Sequence, residues 1–326
     1  MKPKLMGITM GDSSGVGPEI LLKSAAGQRI PVPYVVYGDL SALAELNQRL
    51  GFALELGSIS KASEWREGRI NVIDFRILDV GELTPGTINA KSGAAARAYV
   101  VRAAEDALRG EIAAMVTLPM NKEATQLTDP HFTGHTELIG EVCGSDDVTI
   151  MLASPDLIAT HVSTHCSLRE AIERCKFARI AKIIELTWHA VERLKPGGRV
   201  AVAGLNPHAG ENGLFGREEI DEIAPAVKWA REQGWNVEGP FPPDTLFYLA
   251  VRRKQFDAVV CMYHDQGHIP SKLLDFEGGV NIALGLPIVR TSVDHGTAFD
   301  IAWKGVASTQ SLEAAMSMAV RLAGMT

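Results

Sequence analysis

The 326-residue chain is 46% hydrophobic and 22% charged, a composition that fits a folded globular protein and excludes a disordered one. Its net charge of −7, with no cluster of lysine or arginine, argues against nucleic acid or an anionic membrane surface as partner. An anionic ligand therefore has to be held by a few focused cations.

In chain order, Leu5 to Met10 reads as a strand, and Gly11 to Ile20 as a tight turn into a helix with Pro18 and Glu19 in its first turn. The glycines there satisfy neither nucleotide-binding fingerprint, and Glu19 would repel an anion. Pro33–Tyr37 and Arg69–Phe75 read as strands, Asp39–Leu50 as a helix, and the alanine-rich Lys91–Arg109 as a helix feeding strand Ile112–Thr117. That alternation predicts a parallel α/β sheet. Thr117–Lys122 is then a candidate site loop, and Gly134, His135 and Thr136 open a helix to Val142. Its start could bind an anion or be an ordinary end capped by Thr136.

Val148–Leu152 and Leu157–Val162 read as a strand pair, Ser167–His189 as helical, and Arg199–Ala203 as a strand followed by helix within Phe215–Gln233. Asp244 stands at the mouth of a helix from Pro242, as its cap or as a partner to a nearby metal ligand. Val280–Leu284 and Pro287–Arg290 are short strands, Thr291–Gly305 a polar loop running into a helix, and Ser308–Met325 the closing helix. No stretch is long enough to span a bilayer, and the start is too short in apolar residues for a signal peptide, so a cytoplasmic protein is expected. The four cysteines, Cys143, Cys166, Cys175 and Cys261, form no Cys-x-x-Cys pair and are expected reduced and mostly buried.

The most informative stretch is Cys261–Lys272, which follows the buried-strand pattern Phe256–Val260. His264, Asp265, Gln266, His268 and Lys272, interrupted by Gly267 and Pro270, read as a polar loop at a strand end, a favoured place for ligand sites. His165 and His208 follow two further apolar runs. Three neutral imidazoles with coordination positions left over suit a catalytic divalent cation better than a closed structural site. Their separation in sequence leaves their convergence undetermined.

Taken together, Met10-Gly-Asp to Gly-Pro-Glu19, Gly134-His-Thr-Glu137, Asn206-Pro-His-Ala-Gly-Glu211, Asp244-Thr-Leu-Phe247, Tyr263-His-Asp-Gln-Gly267 and the run from Gly285 to Thr297 resemble the 4-hydroxythreonine-4-phosphate dehydrogenase family over nearly the whole chain. The resemblance implies an α/β, two-domain fold like that of isocitrate and isopropylmalate dehydrogenases, with a cleft between domains: 1–130 plus 285–326 on the cofactor side, 131–284 for metal, substrate and dimerisation. It implies a homodimer with shared active sites. It implies His165, His208 and His264 as ligands of one divalent cation, with Zn, Mg, Mn, Co and Ni not distinguished. Substrate contacts are implied for His135, Thr136, Lys272, Asn281 and Arg290, and NAD contacts for Asp294, His295, Gly296, Thr297 and Asp300.

Three departures from the family pattern stand out: Ser13-Ser14 in place of Pro-Ala, Trp303 in place of glycine, and Gly267-His-Ile-Pro in place of Gly-Leu-Pro. The last resembles the branch acting on D-threonate or D-erythronate 4-phosphate. The expected activity is oxidation of a phosphorylated hydroxy acid to a 3-keto acid that then loses carbon dioxide, with Lys272, Asp244 or a water chain as base. The alternatives are 4-phosphohydroxy-L-threonine or a cis-dihydrodiol dicarboxylate as substrate, a metallohydrolase, and a non-catalytic anion-binding protein.

Overall fold

The structure, a computed structural model, describes residues 3–275 and 278–325. The chain divides into two compact units, one reaching Asp146 and resuming at Leu286, the other spanning Asp147–Gly285. Residues 131–146 thus pack with the first unit, where the sequence reading had placed them in the second domain.

The first unit carries β1 (Met6–Thr9), α1 (Gly17–Ala26), β2 (Tyr34–Gly38), α2 (Leu40–Leu50), β3 (Leu56–Ile59), β4 (Ile70–Asp74), α3 (Ala90–Leu108), β5 (Ala114–Thr117), α4 (Lys122–Gln126) and α5 (His135–Cys143). The second holds β6 (Thr149–Ala153), β7 (Ile158–His161), α6 (Leu168–Arg174), α7 (Phe177–Leu194), β8 (Val200–Ala203), α8 (Ala224–Glu232), β9 (Val237–Phe241), α9 (Pro243–Phe247), β10 (Ala258–Cys261), α10 (His264–Leu274) and β11 (Val280–Leu284). The chain then completes the first unit with β12 (Arg290–Val293) and α11 (Gln310–Ala323).

Strand order in the first unit is β3-β4-β2-β1-β5-β12, with every neighbouring pair parallel. β1 and β5 are buried along their whole length, which is why they read as unbroken apolar runs rather than alternating ones; β12 is buried too, although it carries Arg290, Thr291 and Ser292 and so did not read as a strand past Arg290. Glu19 is buried in the first turn of α1, and its carboxylate accepts the Ala307 N–H at 2.8 Å. That bond ties the helix to the segment before α11. In the second unit the order is β11-β6-β7-β10-β8-β9, antiparallel across β11, β6 and β7 and parallel from β7 onward. Alternation along its strands divides its core: Val200, Val202, Ala258 and Val260 pack with α7 and α8, while Ala201, Ala203, Val259 and Cys261 pack with Leu246, Ala250 and Phe256.

The structure corrects several local expectations. The polar stretch 264–272 is helix α10, not a loop, despite Gly267 and Pro270. Its start is clamped by buried Gln266, whose side chain accepts the Met262 N–H at 2.6 Å and donates to the Gly204 carbonyl at 2.8 Å. The stretch 167–189 is two helices broken after Arg174. The helix expected within 215–233 spans 219–232, its first turn, Glu219–Ile223, being π-helical. The expected helix within 291–305 is absent; β12 occupies 290–293 and turns follow. Asp244 does not cap its helix, since Pro242 holds that position and Asp244 lies exposed in the first turn. Nor does Thr136 cap α5, whose N-cap is Gly134. All four cysteines are free, with Cys175 and Cys261 buried and Cys143 and Cys166 half-buried. No helix among the described residues is long and apolar enough to cross a membrane.

Candidate active site

In the first unit β1, β5 and β12 are parallel neighbours, so the loops after them leave one edge of the sheet, where open α/β sheets bind ligands. The loops touch one another. The Asp12 N–H donates to the Pro119 carbonyl and the Val16 N–H to the Thr297 carbonyl, both at 2.9 Å. A Cβ at Gly15 would come within 2.8 Å of that Thr297 oxygen, so glycine is what permits the approach. Buried Asp12 accepts from the Ser14 N–H at 2.9 Å and from the Ser92 hydroxyl, while its second oxygen has no partner. Burial pushes its carboxyl above the usual range.

Two of the departures noted in the sequence meet here. Trp303, 2% exposed, takes a left-handed backbone (φ 63°) and donates its indole N–H to the Ser13 carbonyl at 2.9 Å. The predicted cofactor loop lies beside them. Asp294 is half-buried, its N–H donating to the Ser311 hydroxyl at 3.2 Å; His295, Gly296 and Asp300 are exposed, and Thr297 is half-buried. An exposed imidazole, exposed and half-buried carboxylates and the open space above Gly296 suit an adenine ring and ribose hydroxyls. This donor set fits NAD.

Also in this unit, Arg290 opens β12 with its side chain buried, and both Nε and Nη2 donate to Thr117 Oγ1, at 3.1 and 2.7 Å. Desolvation pulls its guanidinium down to about 10, opposed by the Glu137 carboxylate. His135, the first residue of α5, is pushed down to about 3 by burial and then by the Arg290 and Lys122 charges, and its Nε2 is sealed from solvent without a partner. It is therefore a neutral imidazole beside buried positive charge. Thr136, next on the helix, is half-buried. A buried guanidinium held by one hydroxyl has the chemistry of an anion receptor.

In the second unit β7, β10 and β8 are adjacent and parallel, and the three predicted histidines follow their carboxyl ends. His165 and His264 line one recess of about 250 Å³ with Cys166, Tyr263 and Asp265, their ring centroids 5.7 Å apart. The His264 Nδ1 is 2.7 Å from Asp265 Oδ1, which fixes Nδ1 as donor and leaves Nε2 as lone pair. These two suit a divalent cation. His208 is exposed, with the Phe215 ring 6.4 Å from its own. Residues 208–212 all have left-handed backbones, which costs roughly 1–2 kcal/mol at each non-glycine position. Among the described residues of one chain no three His, Cys, Asp or Glu form a metal-holding group. The turn sets His208 at the surface of the chain.

Lys272 is half-buried on α10, and Asn281 is half-buried on β11 with its Oδ1 sealed and without a partner. Sequence reasoning missed several supports. Glu219 accepts the Leu205 and Asn206 N–H groups at 2.7 Å each, anchoring the turn that bears His208. His161 is buried at the end of β7, and burial, followed by the nearby His268, pulls it down to about 3. Its signal was present as a second histidine four residues before His165. Only the strand pairing shows that it lies beneath α10.

The comparisons with known proteins come down on one side. Residues 30–319 match the model of a family described as "Pyridoxal phosphate biosynthetic protein PdxA". The chain belongs to the PdxA family. D-threonate 4-phosphate dehydrogenase of Salmonella typhimurium is 45% identical, the match covering 99% of this chain and 100% of that one. A 4-hydroxythreonine-4-phosphate dehydrogenase of Desulforapulum autotrophicum is 42% identical, over 99% of this chain and 96% of that one. The crystal structure of the Klebsiella pneumoniae 4-hydroxythreonine-4-phosphate dehydrogenase superposes with a TM-score of 0.88 at 44% identity, over 98% and 99% of the two chains. The chain is an enzyme of this family, and its curated relatives are dehydrogenases.

Proposed function

We propose that the protein is an NAD- and divalent-metal-dependent dehydrogenase that oxidises and decarboxylates D-threonate 4-phosphate or D-erythronate 4-phosphate to dihydroxyacetone phosphate and CO2. The observation that carries the reading is the buried Arg290 beside neutral His135, a receptor for a phosphate or carboxylate in a PdxA-family chain. The finer fold assignment, to the isocitrate and isopropylmalate dehydrogenase type, belongs to the same reading, as do the cytoplasmic location and the two-domain division into cofactor and substrate parts.

In this reading Arg290 offers a fork to the anion, with Thr117 holding the guanidinium in place. Neutral His135 presents an Nε2 lone pair to a substrate hydroxyl without adding charge. Asn281 Oδ1, sealed and unpartnered, is a second acceptor for a hydroxyl, and Thr136 orients an uncharged oxygen. The residues of 294–297 and Asp300 hold the adenosine part of the cofactor. NAD, when bound, supplies the hydride acceptor, and a cation at His165 and His264, when bound, stabilises negative charge developing on oxygen.

Oxidation breaks the C3–H and O–H bonds of the substrate, the hydride leaving with its electron pair and the hydroxyl proton passing to Lys272, Asp244 or a water chain. The product is a 3-keto acid. Its C1–C2 bond then breaks, the electron pair moves onto the ketone as an enolate, and protonation gives dihydroxyacetone phosphate. In this reading Lys272 neutralises the anion during these steps.

The reading also makes the active species a homodimer with shared sites. Exposed apolar residues support it: Ile269 (63%) and Leu273 (84%) lie one turn apart on α10, and Leu214 (72%) follows the turn of His208. In such a dimer the third cation ligand can come from the second copy. Exhaustive chelation is expected to abolish NADH formation, and added Mn2+, Co2+ or Zn2+ to restore it. Full activity after chelation, with no metal left by elemental analysis, would refute the metal requirement.

A further inference from the structure

Helix α10 carries His264, His268 and Lys272 at i, i+4 and i+8, so the candidate cation ligand and the candidate base share one face with a histidine between them. The His268 ring lies flat on that of His264, with centroids 3.6 Å apart and planes within 9°. His268 is buried, its Nδ1 donating to the His264 carbonyl at 3.0 Å, a bond that fixes where the ring can sit. Beneath it, buried His161 packs on His268 with centroids 4.6 Å apart. Its Nε2 is sealed without a partner, and it approaches only because residue 267 has no side chain, since a Cβ there would lie 2.4 Å from that nitrogen. Two buried imidazoles thus lie behind one half-exposed imidazole, His268 stacked flat on His264 and His161 tilted by 42° against His268. At His161, leucine or valine would fill the same space without leaving a nitrogen unpaired, so a ring there answers something other than the filling of space.

We propose that His268, backed by His161, is a positioning residue: its ring is the platform that holds the His264 ring in one orientation, so that the Nε2 lone pair left by the Asp265 contact faces the recess shared with His165. The inference rests on the reading of His264 as a cation ligand. It goes beyond that reading in making affinity depend on two residues that never touch the cation. Partners of this kind change metal affinity by about 10–100-fold in other proteins, and stacked ring pairs hold their geometry through quadrupole and dispersion forces.

The test separates the ring from its hydrogen bond. His268→Asn keeps a donor for the His264 carbonyl and removes the platform, whereas His268→Phe keeps a flat ring and removes the donor. Crystal structures of the full-length, metal-free wild type and both variants report the His264 orientation, and calorimetric titration with Co2+ alone reports affinity. The expected result is a rotated or split His264 ring in H268N with cobalt bound at least ~10-fold more weakly, and a native ring with near-native affinity in H268F. A native His264 orientation in H268N would overturn the proposal, as would equal disorder of the ring in both variants. Should H268F fail to fold, H268N decides alone. Should the wild type bind no cobalt, the metal reading fails, while the metal-free structures still decide the positioning. Cobalt binding that weakens in H268N, in a protein inactive toward the sugar-acid phosphates, would refute the proposed substrate and leave this inference standing.

Discussion

At the scale of single residues, the proposed chemistry uses groups whose charge state is set by burial. Arg290 is desolvated yet remains a cation, because Thr117 accepts two of its bonds and Glu137 favours the charged form. Arg290→Lys keeps the charge and loses the fork. With charge-assisted bonds worth roughly 1.5–3 kcal/mol, kcat/KM should fall about 10–100-fold, mostly through KM, in steady-state kinetics. His135 and His161 show the opposite behaviour, being held neutral by burial at about 3, below the ordinary value near 6.5. Since the unfolded chain binds their protons first, the stability these residues contribute is complete above pH ~6.5 and drains away as pH falls toward 3. Urea titrations at pH 7, 6 and 5 should show stability falling with acid by up to about 1.4 kcal/mol per pH unit for each histidine. His161→Leu should remove one share of that slope, and an unchanged slope would show that His161 is protonated in the folded protein.

At the scale of elements, α10 explains what was legible in the sequence and what was not. The strand before it, strands β1, β2, β4 and β5, α1 to α3 and the closing helix follow from apolar runs and helical spacing, because local pattern decides them, whereas the short β3 and β9 and the polar β12 did not show as strands. The polar stretch 264–272 did not, since Gly267 and Pro270 are breakers in isolation. The helix forms because Gln266 bridges two strand ends and because Gly267 must admit His161. The three histidines were recognisable from their strand-end positions. The position of His208 was not, since it depends on a left-handed turn anchored by Glu219 from thirteen to fourteen residues away. A sharp test of this account is Gly267→Ala. Helix propensity alone favours alanine by about 1 kcal/mol, yet a Cβ would sit 2.4 Å from His161 Nε2 and 2.9 Å from Cys261 Sγ. Overpacking should win, with a net loss of about 1–3 kcal/mol in denaturant melts; a gain in stability would refute the close packing of α10 on β7.

At the scale of the whole molecule, the first unit carries buried Arg290 and the 294–300 loop and the second the His165–His264 pair, and among the described residues no three His, Cys, Asp or Glu form a metal-holding group. A second copy is the economical completion, and the exposed face of α10 is the place to test it. Leu273→Glu should leave the fold intact by circular dichroism, since Leu273 is 84% exposed. It should also shift the protein from dimer to monomer in light scattering, and lower activity and metal content together. A monomeric variant with full activity would refute the shared site. The account as a whole turns on its substrate. The decisive measurement is the initial rate of NADH formation with D-threonate 4-phosphate, D-erythronate 4-phosphate and 4-phosphohydroxy-L-threonine, each at equal concentration with a saturating divalent cation. A kcat/KM at least ~10-fold higher for one of the D-acid phosphates, corresponding to about 1.4 kcal/mol of preferential transition-state binding, with CO2 released in step with NADH, is the predicted result. Preference for the amino-acid phosphate, or no activity with any of the three, would contradict it.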